Sequence, residues 1–277
     1  MRKPNILLTN DDGIQSPGLA AAASALQSTG ELRVVAPLHQ QTAMGRAHTG
    51  APDATLLPQR FFAGGKQLQA FACDASPASA VGHGLLILQE PLPDLVVSGI
   101  NYGENLGTNI TSSGTIGAAL EAASRGIPSI AISLGTPLES HRNYSTMDWS
   151  VAEHFLSYFS NIVLRNGLPK DVHVLKIDVP GNATTSTPWR LTKQSMQRYY
   201  ESSISSPSLS SRRCDAIIRK QYGPSNSPGT DVHAFKIENV VSVTPLSLDL
   251  TSRTDFSIIH TWLSDDAQSL PHGDGPA

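Results

Sequence analysis

The sequence predicts an α/β fold: a doubly wound, Rossmann-like, mostly parallel sheet carrying a β-rich C-terminal arm. Through the first half, short apolar runs alternate with helical patterns, the signature of βαβ units. The runs are apolar at successive positions, as strands buried by helices on both faces must be. After Pro180 the alternation gives way to serine-rich and strand-like segments, the mark of an appendage.

Taken in order, Ile6-Leu7-Leu8 reads as the first strand, and the turn Asn10-Asp11-Asp12-Gly13 follows it. Residues 17–27, rich in alanine and opened by Pro17, form the first crossover helix. Val34-Val35-Ala36 is the second strand, with Leu95-Val96-Val97 and Ile130-Ala131-Ile132 as further ones. Residues 49–72 are less regular, and a hairpin turn at Gly64-Gly65 gives two or three antiparallel strands there. A helix over about 76–88 is stopped by Pro91 and Pro93. Residues 115–125 form a strong helix, opened by Ser113-Gly114 and closed by Gly126 with Pro128 beyond. Another covers 147–165. Residues 202–211, mostly serine with Pro207 and followed by Arg212-Arg213, read as an exposed loop or arm. Residues 240–243 and 256–259 are strand-like, and 264–277 read as a disordered tail. The expected organisation is a core over 1–180, an extension with an arm and returning strands over 181–263, and the tail.

Composition bounds the function. Of 277 residues, 39% are hydrophobic and 16% charged, ordinary for a soluble enzyme and far from the disordered class. A net charge of −3 offers polymeric nucleic acid no general attraction. No apolar run approaches the roughly 20 residues that span a bilayer, so a membrane is not an expected partner. Met1-Arg2-Lys3 leads into a strand without a secretory h-region, and Cys73 and Cys214 make no CxxC. The expectation is a soluble protein in a reduced, cytoplasmic setting.

Open sheets of this kind bind ligands at the carboxyl ends of their strands, so the chemistry should lie just after each strand. Four segments carry unusual polar residues there: 10–13, 37–45, 98–105 and 112–115. Asp11 and Asp12 would face opposite sides of a continued strand, but a turn at Gly13 lets both reach one ligand. Two carboxylates with amide or carbonyl oxygens nearby make the all-oxygen surroundings that Mg²⁺ or Mn²⁺ prefers. A solvated turn in which an aspartate caps a helix would look the same. Asn101 adds an amide oxygen without charge, so two carboxylates balance a dication and leave the site tolerant of a phosphate dianion. Ser113, Gly114 and Thr115 stand at a helix start, where free N–H groups and the dipole bind phosphate; plain capping by Ser113 is the alternative. No GxxxxGK[ST], HExxH or GxSxG occurs; His39 and His48, near the second segment, could touch substrate but read more readily as surface or satisfied histidines.

At this point the chain resembles the stationary-phase survival protein family, SurE, of 5′/3′-nucleotidases. Its N-terminal signature is similar to Ile6-Leu7-Leu8-Thr9-Asn10-Asp11-Asp12-Gly13-Ile14 with Pro17-Gly18, and its second strand to Val34-Val35-Ala36-Pro37. The run Ser98-Gly99-Ile100-Asn101 with Gly103, Asn105, Leu106 and Gly107 matches, as does Ser113-Gly114-Thr115 with Ala118-Ala119 and Glu121. Gly229-Thr230-Asp231, Val241-Ser242-Val243-Thr244-Pro245-Leu246 and Asp249-Leu250-Thr251 resemble the C-terminal block, so that the likeness spans most of 4–251. The resemblance implies one divalent metal ion per subunit, held by Asp11, Asp12, Asn101 and a hydroxyl of the second loop. That hydroxyl is usually a serine before glycine in the family and is Thr42 before Ala43 here. Asn105, Ser113, Gly114 and Thr115 would hold the phosphate, and Asp11, Asp12 and Asn101 would carry catalysis. Leu38 replaces an Asp, Ser112 a Tyr, and Ser79-Ala80 an Asp-Cys, departures that bear on substrate preference.

The implied activity is hydrolysis of nucleoside 5′-monophosphates, with 3′-monophosphates as a further class. A homodimer or homotetramer is implied as well, with C-terminal segments reaching across to the partner. Two rivals stay open: a nucleotide-binding paralogue without turnover, motivated by the altered second loop around Thr42, and a metal-dependent glycosyltransferase using Asp11-Asp12 on a sugar nucleotide. Release of inorganic phosphate from a monophosphate separates all three.

Overall fold

Six mutually parallel strands make the centre of the sheet in the computed structural model, which describes residues 2–88, 90–141, 144–221 and 227–266. They are β1 (Asn5–Thr9), β2 (Glu31–Pro37), β4 (Lys66–Cys73), β5 (Leu95–Tyr102), β6 (Ser129–Leu134) and β7 (Val174–Val179). Three more strands flank them: β3 (Leu57–Ala63), β8 (Trp189–Leu191) and β11 (Val241–Leu246). The order across the nine-stranded sheet is β3-β4-β2-β1-β5-β6-β7-β11-β8. From β1 the chain moves outward through β2 to β4, then returns to β1's other side for β5, β6 and β7. The order therefore reverses at the β1/β5 boundary, and a crevice opens at the carboxyl ends of those two strands.

Helices cover both faces. Ile6, Leu8, Val34, Val97, Ile130 and Ile132 pack on one side against α1 (Pro17–Leu26) and α4 (Ser150–Asn166) through Leu19, Leu26, Phe155 and Phe159. Leu7, Val35 and Val96, one position out of phase, pack on the other against α2 (Pro77–Ile87) and α3 (Gly114–Ala123). This explains the consecutive apolar residues at the strand centres: both faces are buried there, and each such side chain contributes about 1.5–3 kcal/mol. The alanines of α1 and α3 keep the helices close to the sheet, and none of Ala22, Ala23, Ala118 and Ala119 is exposed.

The irregular segment 49–72 holds two strands. β3 and β4 form the antiparallel hairpin expected around Gly64-Gly65, and β4 also pairs parallel with β2, which joins the hairpin to the core sheet. In the C-terminal part, β11 runs antiparallel to β7 and carries β8 beside it. The serine-rich stretch lies between β9 (Tyr200–Ser203) and β10 (Ile217–Lys220), an antiparallel hairpin separate from the main sheet. Lys220, at the end of that hairpin, donates to the Thr136 carbonyl at 2.7 Å and pairs with Glu104 Oε1 at 2.7 Å. A short helix, α5 (Asp231–Lys236), is capped by the Thr230 side chain.

Two expectations are corrected. Residues 256–259 are not a strand but open α6 (Phe256–Asp266), where Asp255 accepts from the Ser257 N–H. The adjacent Ile258 and Ile259 suggest a strand locally, yet Phe256, Ile259 and Leu263 recur at helical spacing. Ser264 to Asp266 belong to the same helix rather than to a tail, and the rest of the expected tail, 267–277, lies outside the described residues.

Candidate active site

Asn10 shapes the turn after β1. Its Oδ1 accepts the Gly13 N–H at 3.1 Å and its Nδ2 donates to the Gly13 carbonyl at 3.0 Å, closing the loop on itself. Asp11 and Asp12 thereby leave the strand pattern, and both are buried.

Asp11 turns toward the start of α3. The Thr115 hydroxyl donates to its Oδ1 at 2.6 Å, and the backbone N–H groups of Gly114 and Thr115 further favour its charge. A Cβ at Gly114 would stand 2.7 Å from Asp11 Cβ and 2.9 Å from Oδ2, so only glycine fits beneath this carboxylate. Asp12 is held by a different set of partners, from β5 and the loop after β2. Its Oδ2 accepts the Tyr102 N–H at 3.1 Å and its Oδ1 accepts from Gln40 Nε2 at 3.1 Å. The same Gln40 nitrogen donates to the His141 carbonyl at 2.8 Å, and the Tyr144 hydroxyl donates to the Asp12 carbonyl at 2.6 Å.

Burial holds both carboxyl groups well above the usual carboxylate range, and the Asp11 charge raises Asp12 further. Two desolvated acids on one turn repel each other, so the pair has a standing demand for positive charge. Below it, Thr9 and Ser98 are register neighbours whose buried hydroxyls lack hydrogen-bond partners among the described residues.

Asn101 lies within β5, not after it as the sequence suggests. Gly99, at φ +128°, shifts the pairing with β6 between Ser98 and Asn101, and the strand continues to Tyr102. Its Nδ2 donates to the Gly103 carbonyl at 2.7 Å, which leaves Oδ1 as the atom on offer to a cation. Thr42 is exposed in the loop after β2, where its neighbour Gln41 donates an N–H to the Asp11 carbonyl at 2.7 Å. Asp11, Asp12, Asn101 and Thr42 would make a donor set of oxygens alone, the kind suited to a hard dication. No group of three or more His, Cys, Asp or Glu side chains competes for a metal among the described residues.

The residues read as phosphate ligands are placed differently from one another. Ser113 caps α3, its Oγ accepting the Ile116 N–H at 3.2 Å, and Thr115 is committed to Asp11. The room left by Gly114 is filled by Asp11 rather than kept for an anion. Asn105 is braced on every side: its N–H donates to Asp178 Oδ1 at 2.7 Å, its Nδ2 to Ser133 Oγ at 2.9 Å, and its carbonyl accepts from Lys176 Nζ at 2.8 Å. Lys176 is buried between Asp178 and Asp231, and Asp231 also accepts N–H groups of Gly107, Ser195 and Val232. This triad fixes the wall of the crevice that carries Asn105.

The family model described as Survival protein SurE matches residues 6–201. The chain belongs to the SurE family. It is 42% identical over 258 residues to the 5′-nucleotidase SurE of Thermococcus gammatolerans, covering 91% of this chain and 92% of that one. It is 43% identical over 259 residues to the 5′-nucleotidase SurE of Thermococcus kodakarensis, covering 91% and 95%. Among solved structures, that of the SurE protein from Aquifex aeolicus superposes with a TM-score of 0.72 at 31% identity, over 95% of this chain and all of that one.

The departures from the SurE pattern can now be located. Ala43 stands where the family pattern has glycine and adopts φ +61°, the left-handed conformation that glycine would supply without strain. Leu38 packs against the core, Ser112 donates its Oγ to the Asn109 carbonyl at 2.9 Å, and Ser79 donates its N–H to the Ser76 cap, with Ala80 buried. Gln40 and Tyr144 are contacts of the SurE turn that sequence reading missed. Gln40 lies within the segment 37–45 without being singled out there, Tyr144 lies in no candidate segment, and each meets Asp12 only through the fold.

Proposed function

We propose that this chain is a phosphoric monoester hydrolase that cleaves nucleoside 5′-monophosphates, and 3′-monophosphates as a further class, to nucleoside and phosphate. The observation that carries the reading is the pair of buried, mutually repelling carboxylates on one turn at the switch point of the sheet. Asn101 Oδ1, left open by the bond of its Nδ2 to the Gly103 carbonyl, and the Thr42 hydroxyl would add neutral oxygens to Asp11 and Asp12. One divalent ion per subunit, Mg²⁺ or Mn²⁺, would supply Lewis acidity and charge neutralisation when bound there. Thr115 and the start of α3 hold Asp11 in place, while Gln40 and the Tyr102 N–H hold Asp12. Of the residues read as phosphate ligands, Gly114 and Thr115 are taken up by Asp11, which leaves Asn105 and Ser113 to border the phosphate, and a single dication against two carboxylates leaves that space free of excess negative charge.

The rival reading of a nucleotide binder without turnover drew on the Thr42-Ala43 change. The φ of +61° at Ala43 keeps the bend that glycine would give, and favours the catalytic reading. We further infer a homodimer or homotetramer in a cytoplasmic setting, with residues 181–263 as the extension that reaches a partner. Exposed apolar side chains on the hairpin and α6, among them Ile217, Ile218, Phe256 and Trp262, support this. Light scattering tests the assembly, and a monomer refutes it. The activity is tested with Asp11→Asn: phosphate release from a nucleoside monophosphate and Mn²⁺ binding should both be lost while the circular dichroism spectrum is kept. Retained turnover sinks the reading.

A further inference from the structure

Tyr144 follows the 3-10 turn Leu138–His141 and meets the Asp12 turn from 132 residues away in the chain. Its hydroxyl is pinned to the Asp12 carbonyl at 2.6 Å, so the polar end of the ring cannot swing away without giving up that bond. Tyr102 lies against it, with ring centroids 5.8 Å apart and planes inclined by 22°. Tyr102 is itself immobilised, edge-on to Trp149 at 4.8 Å and bonded through its hydroxyl to the Ser145 carbonyl at 2.9 Å. It is 3% exposed, whereas Tyr144 is 44% exposed. The outer member of an ordered aromatic stack is thus left in contact with water beside the carboxylate pair.

The hydroxyl of Tyr144 touches the main-chain carbonyl of Asp12, so the ring begins within one phenol of the residue whose carboxylate the phosphate would approach. A sugar between phosphate and base is the spacer such an arrangement calls for, and a flat heterocycle joined to phosphate through a sugar has that form. We propose that Tyr144 is the platform on which the base of a nucleoside monophosphate stacks while its phosphate is held beside Asp11 and Asp12. This rests on the phosphomonoesterase reading and names what distinguishes its substrate from other phosphate esters. The base becomes the third layer on Tyr102 and Tyr144, in the offset arrangement aromatic rings favour. Stacking tolerates any base but rewards area, so purines should outrank pyrimidines.

The test compares Tyr144→Phe with Tyr144→Leu. Both lose the bond to the Asp12 carbonyl and share whatever loosening of the turn follows; only leucine lacks the ring. With Mn²⁺ present, KM and kcat are measured for AMP and for glycerol 2-phosphate, which has no ring, and Mn²⁺ affinity is measured by titration calorimetry. Relative to the phenylalanine variant, the leucine variant should raise KM for AMP about tenfold. The two variants should agree in kcat for AMP, in kcat/KM for glycerol 2-phosphate and in Mn²⁺ affinity. Equal KM for AMP in the two variants overturns the proposal, as does an equal loss on both substrates. If the wild-type protein hydrolyses neither ester, the phosphatase reading fails instead, and AMP binding by calorimetry still decides: tenfold weaker binding to the leucine variant upholds the platform, and equal binding refutes it.

Discussion

Replacing Ala43 by glycine should stabilise the fold. Ala43 sits at φ +61° in the exposed loop after β2, where its Cβ crowds the backbone without compensation from core packing. Left-handed backbone costs an L-residue about 1–2 kcal/mol. Glycine removes that cost but widens the unfolded ensemble, an offset of about 0.4–1 kcal/mol. The difference leaves about 0.5–1 kcal/mol in favour of Ala43→Gly. In equilibrium urea unfolding, with a slope of about 3 kcal/mol per molar for a chain of this size, the midpoint should rise by about 0.2–0.3 M at unchanged slope. Ala43→Val should lower it, because a β-branched side chain tolerates positive φ worst. A midpoint that falls with glycine would mean that the loop does not hold the left-handed bend, and the reasoning about Thr42 would fall with it.

Other outcomes follow from the same geometry. Gly114→Ala brings a methyl group within 2.9 Å of Asp11 Oδ2, so the carboxylate must move; Mn²⁺ affinity by calorimetry should drop by about tenfold or more with the helical signal intact. Lys176→Met strands Asp178 and Asp231 without their cation and should cost about 3–5 kcal/mol in urea unfolding, whereas a cost near zero would show the triad to be dispensable. Burial raises both Asp11 and Asp12 in the folded state, and the Asp11 charge raises Asp12 further, so that above the ordinary carboxylate range, about pH 4, the folded chain binds more protons than the unfolded one. Without metal, these two groups should therefore make stability fall as pH rises from about 5 toward 8. Thermal unfolding in EDTA should show that fall, and Mn²⁺ should flatten it.

The central strands were legible because burial on both faces leaves a local trace, consecutive apolar residues such as Ile6-Leu7-Leu8. The position of Asp11 and Asp12 was legible for a related reason: strand ends at a switch point are where a parallel sheet gathers its ligands. What was missed depends on long-range contact. Gln40 and Tyr144 reach Asp12 across 28 and 132 residues, with no spacing to announce them. Gly99 reads as a turn, yet it shifts the register and lets β5 run on to Tyr102, carrying Asn101 inside the strand. The buried triad did leave a signal, since Lys176 and Asp178 are two apart in β7 and must share a face. In α6 two neighbouring isoleucines outweighed a helical repeat that only a longer window reveals.

The foot of the β9–β10 hairpin ties an outlying element to the wall of the crevice. Lys220 closes on Glu104, a buried side chain that also receives the Tyr199 hydroxyl at 2.5 Å and is next in sequence to Asn105. Lifting the hairpin would withdraw a cation from a dry carboxylate in the wall of the crevice. Any displacement of the hairpin would then reach the wall that carries Asn105 as a change of charge rather than as a mechanical push.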